Sequence, residues 1–116
     1  MKKILHLTLT KKWFALILKR KKHEEYRVAK QYWIRRLTTK FDLLNKELAF
    51  RHYDEIIFKN GYSKTAPTIR IECKGISYIL SISSMDEALA PTIREPLFVI
   101  ALGRILETKH LKAGGF

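Results

Sequence analysis

The strongest constraint on the fold is a strict alternation of apolar and polar residues in the second half of the chain. In residues 68–73, three apolar side chains alternate with three polar ones. Successive side chains of a strand point to opposite faces, so this segment predicts a strand with one face in the core. Residues 76–82 and 97–102 are also rich in apolar and β-branched side chains and predict further strands. Gly75 predicts a bulge or bend, and Gly103 predicts a kink before the end of the last strand.

The first half of the chain adds helices to these strands. Residues 11–20 carry apolar side chains at helical spacing with lysines outside them, which predicts a short amphipathic helix whose apolar stripe faces the core. Thr10 is the expected N-cap. Between residues 31 and 51, apolar residues recur at steps of three and four, which predicts one or two more helices. Three more strands are predicted at residues 4–9, 24–28 and 54–59.

These elements define a fold class. Five or six strands with two or three short helices, the helices early and the strands late, predict an α+β domain built around a small, mostly antiparallel barrel or curled sheet. The chain has 116 residues, the size of one ordinary domain. We expect a single domain over residues 1–108 and a flexible C-terminal tail over residues 109–116.

Several classes of site are excluded by composition. The chain has one cysteine, Cys73, and its four histidines lack the spacing of metal ligands, so neither an internal disulfide nor a metal or cofactor is predicted. Serines 81, 83 and 84 lack the Gly-x-Ser-x-Gly context of that class of serine hydrolase. No stretch reaches the roughly 20 apolar residues that cross a bilayer. No cleavage site of the secretory type follows Met1-Lys2-Lys3, so we expect a cytoplasmic protein without a membrane partner.

The charge is large and concentrated near the N-terminus. The formal net charge is +12, and the first 40 residues hold thirteen lysines and arginines against two glutamates. Such a surface attracts phosphates, because neutralising them releases condensed counterions; the alternative is a device for solubility. The predicted partner is therefore RNA or another nucleotide-like ligand, and the residues expected to bind nucleic acid are Lys11, Lys12, Lys19, Arg20 and Lys21.

Residues 19–27 concentrate the titratable side chains, with five positive charges, two carboxylates and one imidazole in nine positions. If the chain turns near residue 21 and enters a strand near Glu24, Glu25 and Arg27 project to one face while Glu24 and Tyr26 project to the other. Lys22, in the turn, can reach either face. The cluster either holds an anionic or amide-bearing ligand or forms an exposed set of ion pairs.

Four segments together resemble the ASCH domain family, which shares the PUA-like barrel fold. They are Leu5-His6-Leu7-Thr8-Leu9, the signature Lys22-x-x-Glu25-x-Arg27, Tyr32-Trp33 and Asn60-Gly61-Tyr62, and the resemblance spans about residues 3–106. The family signature is Gly-x-Lys-x-x-Glu-x-Arg, and Arg20 stands at its glycine position. Arginine reaches left-handed geometry only at a cost, so we expect the turn to shift. Arg20 would then end the helix in right-handed geometry with its guanidinium beside the cleft.

The resemblance implies a ligand cleft beside the barrel. Some ASCH proteins are amidohydrolases that deacylate N4-acylated cytidine, and others are described as ribonucleases. In the amidohydrolases the position of Glu25 is a threonine thought to act as the nucleophile, so that mechanism does not transfer intact. Three functions follow as hypotheses: a module that binds RNA or a modified nucleoside, a metal-independent amidohydrolase, and a ribonuclease on single-stranded RNA.

The same residues carry each hypothesis. Lys22 would be a general base or an oxygen clamp, and Glu25 would handle water or accept hydrogen bonds from the exocyclic amine of a base; both would be catalytic in an enzyme. Arg27 would hold Glu25 or bind phosphate. Trp33 is expected in the core. The remaining residues expected to contact ligand are Thr8, Tyr26, Asn60 and Tyr62, and Thr10 is a further source of a hydroxyl.

Overall fold

The structure is a computed structural model that describes residues 1–83, 87–88 and 90–116. These residues form seven strands, two α-helices and one 3-10 helix. In chain order they are β1 (Ile4–Thr8), α1 (Lys11–Leu18), β2 (Glu24–Val28), α2 (Gln31–Leu37), β3 (Thr38–Asp42), β4 (Glu47–Phe50), β5 (Glu55–Lys59), β6 (Thr68–Ile79), β7 (Leu97–Lys109) and the 3-10 helix η1 (Leu111–Gly114).

Five of the strands form one curled sheet in the order β1-β5-β6-β7-β2, and β3 and β4 form a separate hairpin. Only β1 and β5 pair in parallel within the large sheet; its other neighbours are antiparallel. The sheet curls into a half-barrel with β1 and β2 as its two edges. The predicted α+β class with a curled, mostly antiparallel sheet is confirmed.

The core fills the inside of this half-barrel. Alternation in β1 buries Leu5 and Leu7, and α1 adds Phe14 and Ile17 from its apolar stripe. Strands β5, β6 and β7 supply the rest through side chains that include Ile56, Phe58, Ile69, Ile71, Phe98 and Ile100. Helix α1 therefore packs across the sheet, which places the segment that follows it beside β2.

The prediction of helices through residue 51 is wrong after Leu37. Residues 38–50 form the β3–β4 hairpin, whose turn is closed by Asn45 bonding to the Asp42 carboxylate, with N to Oδ1 at 3.2 Å. Phe41 packs against the sheet through the ring of Tyr78, at a centroid distance of 5.5 Å. Leu44, one of the apolar residues whose spacing predicted a helix, is 96% exposed. The spacing of Phe41 and Leu48 fits a strand pair equally well, and they face each other across the hairpin.

The two strands predicted around Gly75 are one strand. The backbone continues through β6, and Gly75 lies at a shift in the β6–β7 register with φ of 130°. The predicted bulge is therefore confirmed. Strand β7 runs past Gly103 to Lys109, which is longer than predicted. Between β6 and β7, residues 84–86 and 89 lie outside the described residues, and Ile82 and Ile93 form an isolated bridge.

The C-terminal segment has a defined place in the structure. After β7 the chain forms η1, and the Phe116 ring lies 4.9 Å from the Phe14 ring between centroids. The flexibility expected of residues 109–116 stays a prediction.

At the start of α1, Thr10 occupies the N-cap position, as predicted, but its side chain makes no capping hydrogen bond. Among the described residues, no helix is both long and apolar enough to cross a membrane.

Candidate functional site

The turn between α1 and β2 places Lys22 and its neighbours. Arg20 has φ of 60°, in the left-handed region, so the predicted shift of the turn to right-handed geometry is wrong. The amide of Arg20 donates to the Ile17 carbonyl at 3.0 Å, and that of Lys21 donates to the Leu16 carbonyl at 2.9 Å. These are the two hydrogen bonds of a Schellman helix end, in which the residue at the Arg20 position is left-handed. The bonds satisfy carbonyls that the helix end otherwise leaves free, which favours this turn despite the cost at arginine.

Strand β2 then presents its side chains as the alternation predicted. Glu25 and Arg27 share one face, and Arg27 Nη2 lies 2.8 Å from Glu25 Oε2. Glu24 and Tyr26 share the other face, where the Tyr26 hydroxyl donates to Glu24 Oε1 at 3.0 Å. Burial and the Glu24 carboxylate raise the pKa of Tyr26 to about 12.

The carboxylate of Glu25 is held between two cations. Lys22 Nζ lies 3.1 Å from Oε1, and the side chains of Lys22 and Glu25 are 3% and 7% exposed. Arg27 occupies the other oxygen of the carboxylate. Each carboxylate oxygen accepts more than one hydrogen bond, so Glu25 retains acceptor capacity for a ligand.

Lys22 is surrounded by aromatic rings as well as by Glu25. Its Nζ atom lies 4.4 Å from the Tyr26 ring centroid and 5.2 Å from that of Trp13, and it also donates to the Glu24 carbonyl. Burial lowers the pKa of Lys22 below its ordinary value, although the charge and hydrogen bond of Glu25 oppose that shift. A lysine with a lowered pKa gives up its proton more readily than an exposed one.

Arg27 joins the two edges of the half-barrel. Its Nη2 atom donates to the Thr8 carbonyl at the end of β1, at 3.3 Å, although β1 and β2 stand at opposite ends of the strand order. The guanidinium carbon lies 4.9 Å from the centroid of the Trp33 ring. Trp33 is partly buried against the core, as predicted, and it also forms a plane on which Arg27 rests.

A cleft of about 230 Å³ lies at this junction of β1, α1 and β2. It is lined by Thr8, Leu9, Thr10, Trp13, Lys22, Glu25, Tyr26, Arg27 and Pro91. The structure thus brings together the predicted residues Thr8, Lys22, Glu25, Tyr26 and Arg27. Trp13 is partly buried against the core, as the apolar stripe of α1 predicts, but it also lines the cleft, which was not predicted. Its position, five residues after the end of β1 at Thr8, was the available signal.

Two residues expected to contact ligand lie elsewhere. Asn60 and Tyr62 line a separate cavity of about 260 Å³, and Tyr62 is 89% exposed. The Asn60 side-chain amide donates to the Leu9 carbonyl at 3.0 Å. Asn60 therefore supports the corner that borders the cleft, because its hydrogen bond fixes the backbone there, while the loop turns Tyr62 away.

The five basic residues expected to bind nucleic acid are all exposed and form two groups. Lys19, Arg20 and Lys21 lie in the α1–β2 turn, directly before Lys22. Lys11 and Lys12 lie at the start of α1, where Lys12 Nζ sits 4.3 Å from the Trp13 ring centroid and donates to the Glu87 carbonyl at 3.2 Å. The cleft is therefore flanked by cations at both ends of α1.

The chemistry available in the cleft is hydrogen bonding, charge and proton transfer. Within the part of the chain that the structure describes, no group of three or more His, Cys, Asp or Glu side chains is arranged to hold a metal ion. Comparison of the chain with protein-family models, with curated proteins and with solved structures finds no match.

Proposed function

We propose that this chain is an ASCH-like module that binds single-stranded RNA, or a modified nucleoside of it, in the Lys22–Glu25–Arg27 cleft. The observation that carries the proposal is the buried Glu25 carboxylate, fixed by a cation on each oxygen at the wall of an open cleft. A carboxylate held in this way is a preorganised acceptor for the exocyclic amine of a base such as cytosine.

The aromatic rings of the cleft supply a second element of base recognition. Trp13 and Tyr26 both line it, and Lys22 Nζ lies near both rings. Bases stack on such rings whatever their sequence, at about 1–3 kcal/mol per base. One stacked base hydrogen-bonded to Glu25 therefore fits both the shape and the chemistry of the site.

The distribution of charge favours a polymer over a free nucleoside. Exposed lysines and arginines stand at both ends of α1 beside the cleft, and most of the net charge of +12 lies in the first 40 residues. A neutral nucleoside gains nothing from an extended positive field, whereas a phosphate backbone gains with every charge that it neutralises.

A matched pair of variants tests this proposal. Glu55 is another buried carboxylate between two cations, with Lys2 Nζ at 2.8 Å and Arg70 Nη1 at 2.9 Å, and it does not line the cleft. Binding of cytidine, N4-acetylcytidine and fluorescently labelled single-stranded RNA is measured for Glu25→Gln and Glu55→Gln. We expect Glu25→Gln to lose affinity by tenfold or more, about 1.4 kcal/mol, and Glu55→Gln to retain it. Equal losses in the two variants would show that Glu25 acts only through stability.

The lowered pKa of Lys22 favours amidohydrolysis of an N4-acylated cytidine as a second candidate function. Water would attack the acyl carbon while Glu25 takes one of its protons. As the carbon–nitrogen bond breaks, Lys22 would protonate the leaving N4 nitrogen, and the proton on Glu25 would then return to Lys22. The products are cytidine and a carboxylic acid. No threonine nucleophile is needed, which agrees with glutamate at position 25.

Release of cytidine from N4-acetylcytidine, followed by chromatography, separates the two functions. In an enzyme, Lys22→Ala and Glu25→Gln each reduce turnover by about 100-fold or more, the scale for a lost acid or base. Cleavage of the labelled RNA on a denaturing gel tests ribonuclease activity in the same samples. Binding that depends on Glu25 without either product identifies a binding module.

A further inference from the structure

A second cavity lies directly beside the cleft and shares Lys22 with it. This cavity has a volume of about 250 Å³ and is bordered by the α1–β2 turn on one side and by β7 on the other. The His23 carbonyl accepts the Leu102 amide at 2.9 Å, which pins the turn to β7 and keeps the cavity open. The Lys22 side chain therefore borders both cavities.

The walls of the second cavity combine apolar surface with positive charge. Its apolar lining comes from Ile17, Ile71, Leu102 and Ile105. This surface suits the flat face of a base or the carbons of a ribose, because burying it removes apolar area from water.

The basic side chains that line the same cavity are Arg20, Lys22, His23 and Arg104, of which Lys22 is already paired with Glu25. No acidic residue lines it, and within the described chain no carboxylate pairs with Arg20 or His23. The Arg104 side chain is 75% exposed, and its Nε atom lies 3.7 Å from the Glu72 carboxylate. An exposed pair at that distance is weak and leaves the guanidinium available to an anion.

We propose that this cavity is a second nucleotide subsite, which takes the unit of the strand next to the base in the Glu25 cleft. Base and ribose would lie against the apolar wall, and the phosphate would be bound by the Arg20 and Arg104 guanidiniums. The proposal rests on the proposed function, because it assigns the second cavity to the same single strand. It explains why a cleft large enough for one base lies beside a cavity with a cationic rim.

The experiment compares ligands that occupy one subsite or both. Calorimetry gives the affinity of the unmodified protein for cytidine and for the dinucleotide CpC. We expect CpC to bind tenfold or more tightly than cytidine, because it adds a stacked unit and a phosphate. Its affinity should also fall with salt, with a log–log slope of about −0.7 for the single phosphate.

Two variants test whether the second cavity causes the higher affinity for CpC. Arg104→Glu and Ile105→Gln each change the second cavity and leave the Glu25 cleft intact, so cytidine affinity is expected to remain while the advantage of CpC is lost. The control is Lys112→Glu, which makes the same charge change as Arg104→Glu at an exposed residue outside both cavities. It should retain most of the CpC advantage.

The outcomes distinguish this proposal from the one it rests on. Cytidine binding without any advantage for CpC overturns the second subsite and leaves the proposed function standing. An advantage that survives Arg104→Glu and Ile105→Gln also overturns it. Absence of binding to cytidine, N4-acetylcytidine and RNA alike overturns the proposed function, and the second subsite with it.

Discussion

The Nζ atom of Lys22 lies 3.1 Å from Oε1 of Glu25, and both side chains are almost completely buried. Breaking a buried pair by removing one partner costs about 3–5 kcal/mol, since the remaining charge has lost its compensation. In this protein the loss of Glu25 is the more costly of the two, because it leaves both Lys22 and Arg27 without their carboxylate, whereas after loss of Lys22 the Glu25 carboxylate still has Arg27. The pair therefore holds the wall of the cleft in place, and loss of either partner alone should destabilise the fold.

We expect Glu25→Gln to make stability depend more steeply on pH. The pKa of Lys22 is already lowered, and removing Glu25 lowers it further because the charge and hydrogen bond of Glu25 raise it. Between the folded pKa of Lys22 and its ordinary value of 10.5, the unfolded chain binds more protons, so stability rises with pH. Urea unfolding at several pH values up to about 10 measures this. The double variant Lys22→Met with Glu25→Gln should lack the added slope; equal slopes in the two would contradict the argument.

Tyr26 should ionise at a pH well above that of a free tyrosine, because of its burial and, in part, because of Glu24. Its pKa is raised to about 12 by burial and by the Glu24 carboxylate, which accepts a hydrogen bond from the Tyr26 hydroxyl. Phenolate absorbance of the native protein, minus that of Tyr26→Phe, should show a transition near that pH. Glu24→Gln should move the transition towards 10, the ordinary value. A transition that stays in place in Glu24→Gln would mean that burial alone causes the shift.

The aromatic lining of the cleft gives a prediction about affinity. Trp13 lines the cleft and Tyr62 does not, although both are aromatic residues near basic ones. Trp13→Ala should weaken RNA binding by about 1–3 kcal/mol, the cost of a lost stacked base, and Tyr62→Ala should leave it unchanged. Fluorescence anisotropy with labelled RNA measures both. A loss confined to Tyr62→Ala would place the ligand in the cavity lined by Asn60 and Tyr62.

The basic surface predicts a strong dependence of RNA affinity on salt. The log–log slope should be about −0.7 for each phosphate neutralised, and reversing the charges of Lys11, Lys12 and Arg20 together should weaken binding and flatten that slope. All three residues are exposed, so circular dichroism should show an unchanged fold. Affinity that is flat from low to high salt in the unmodified protein would rule out a phosphate-based interaction.

Local patterns predicted much of the sheet, because the period of a strand follows from backbone geometry. The two faces of β2 follow from that rule alone. The same reasoning gave a wrong prediction for residues 38–50, because the spacing of Phe41 and Leu48 fits both a helix and a hairpin. What decided between them was the contact of Phe41 with Tyr78, a residue 37 positions away, which local periodicity does not contain.

The cleft was predicted only in part for a related reason. Thr8 and Glu25 approach each other because the sheet curls and Arg27 spans its two edges, and curling is a property of the whole sheet. The place of Trp13 in the cleft depends on how α1 crosses that sheet, and helical spacing indicates only that Trp13 packs against the core, which it does in part. The prediction that Tyr62 lines the cleft is wrong because the Asn60-Gly61 turn signal does not determine the side to which the turn projects.

Arg20 provides the sharpest prediction about stability. Its left-handed backbone costs about 1–2 kcal/mol in any residue with a Cβ atom, and glycine removes that cost. Glycine also has more conformational freedom than arginine in the unfolded chain, and this offsets about 0.4–1 kcal/mol of the relieved strain. Arg20→Gly should therefore stabilise the protein by about 0.5–1 kcal/mol, raising the melting temperature by roughly 2–4 °C.

Two controls separate this effect from the loss of a charged side chain. Arg20→Ala removes the guanidinium but retains the left-handed strain, so it should bring no comparable gain. Lys19→Gly places glycine one residue earlier, where φ is −82° and no strain exists, and it should lower stability by about 0.5–1 kcal/mol. Differential scanning calorimetry of the four proteins orders them. Destabilisation by Arg20→Gly, or an equal gain from Arg20→Ala, would show that the Schellman turn stores no strain at Arg20.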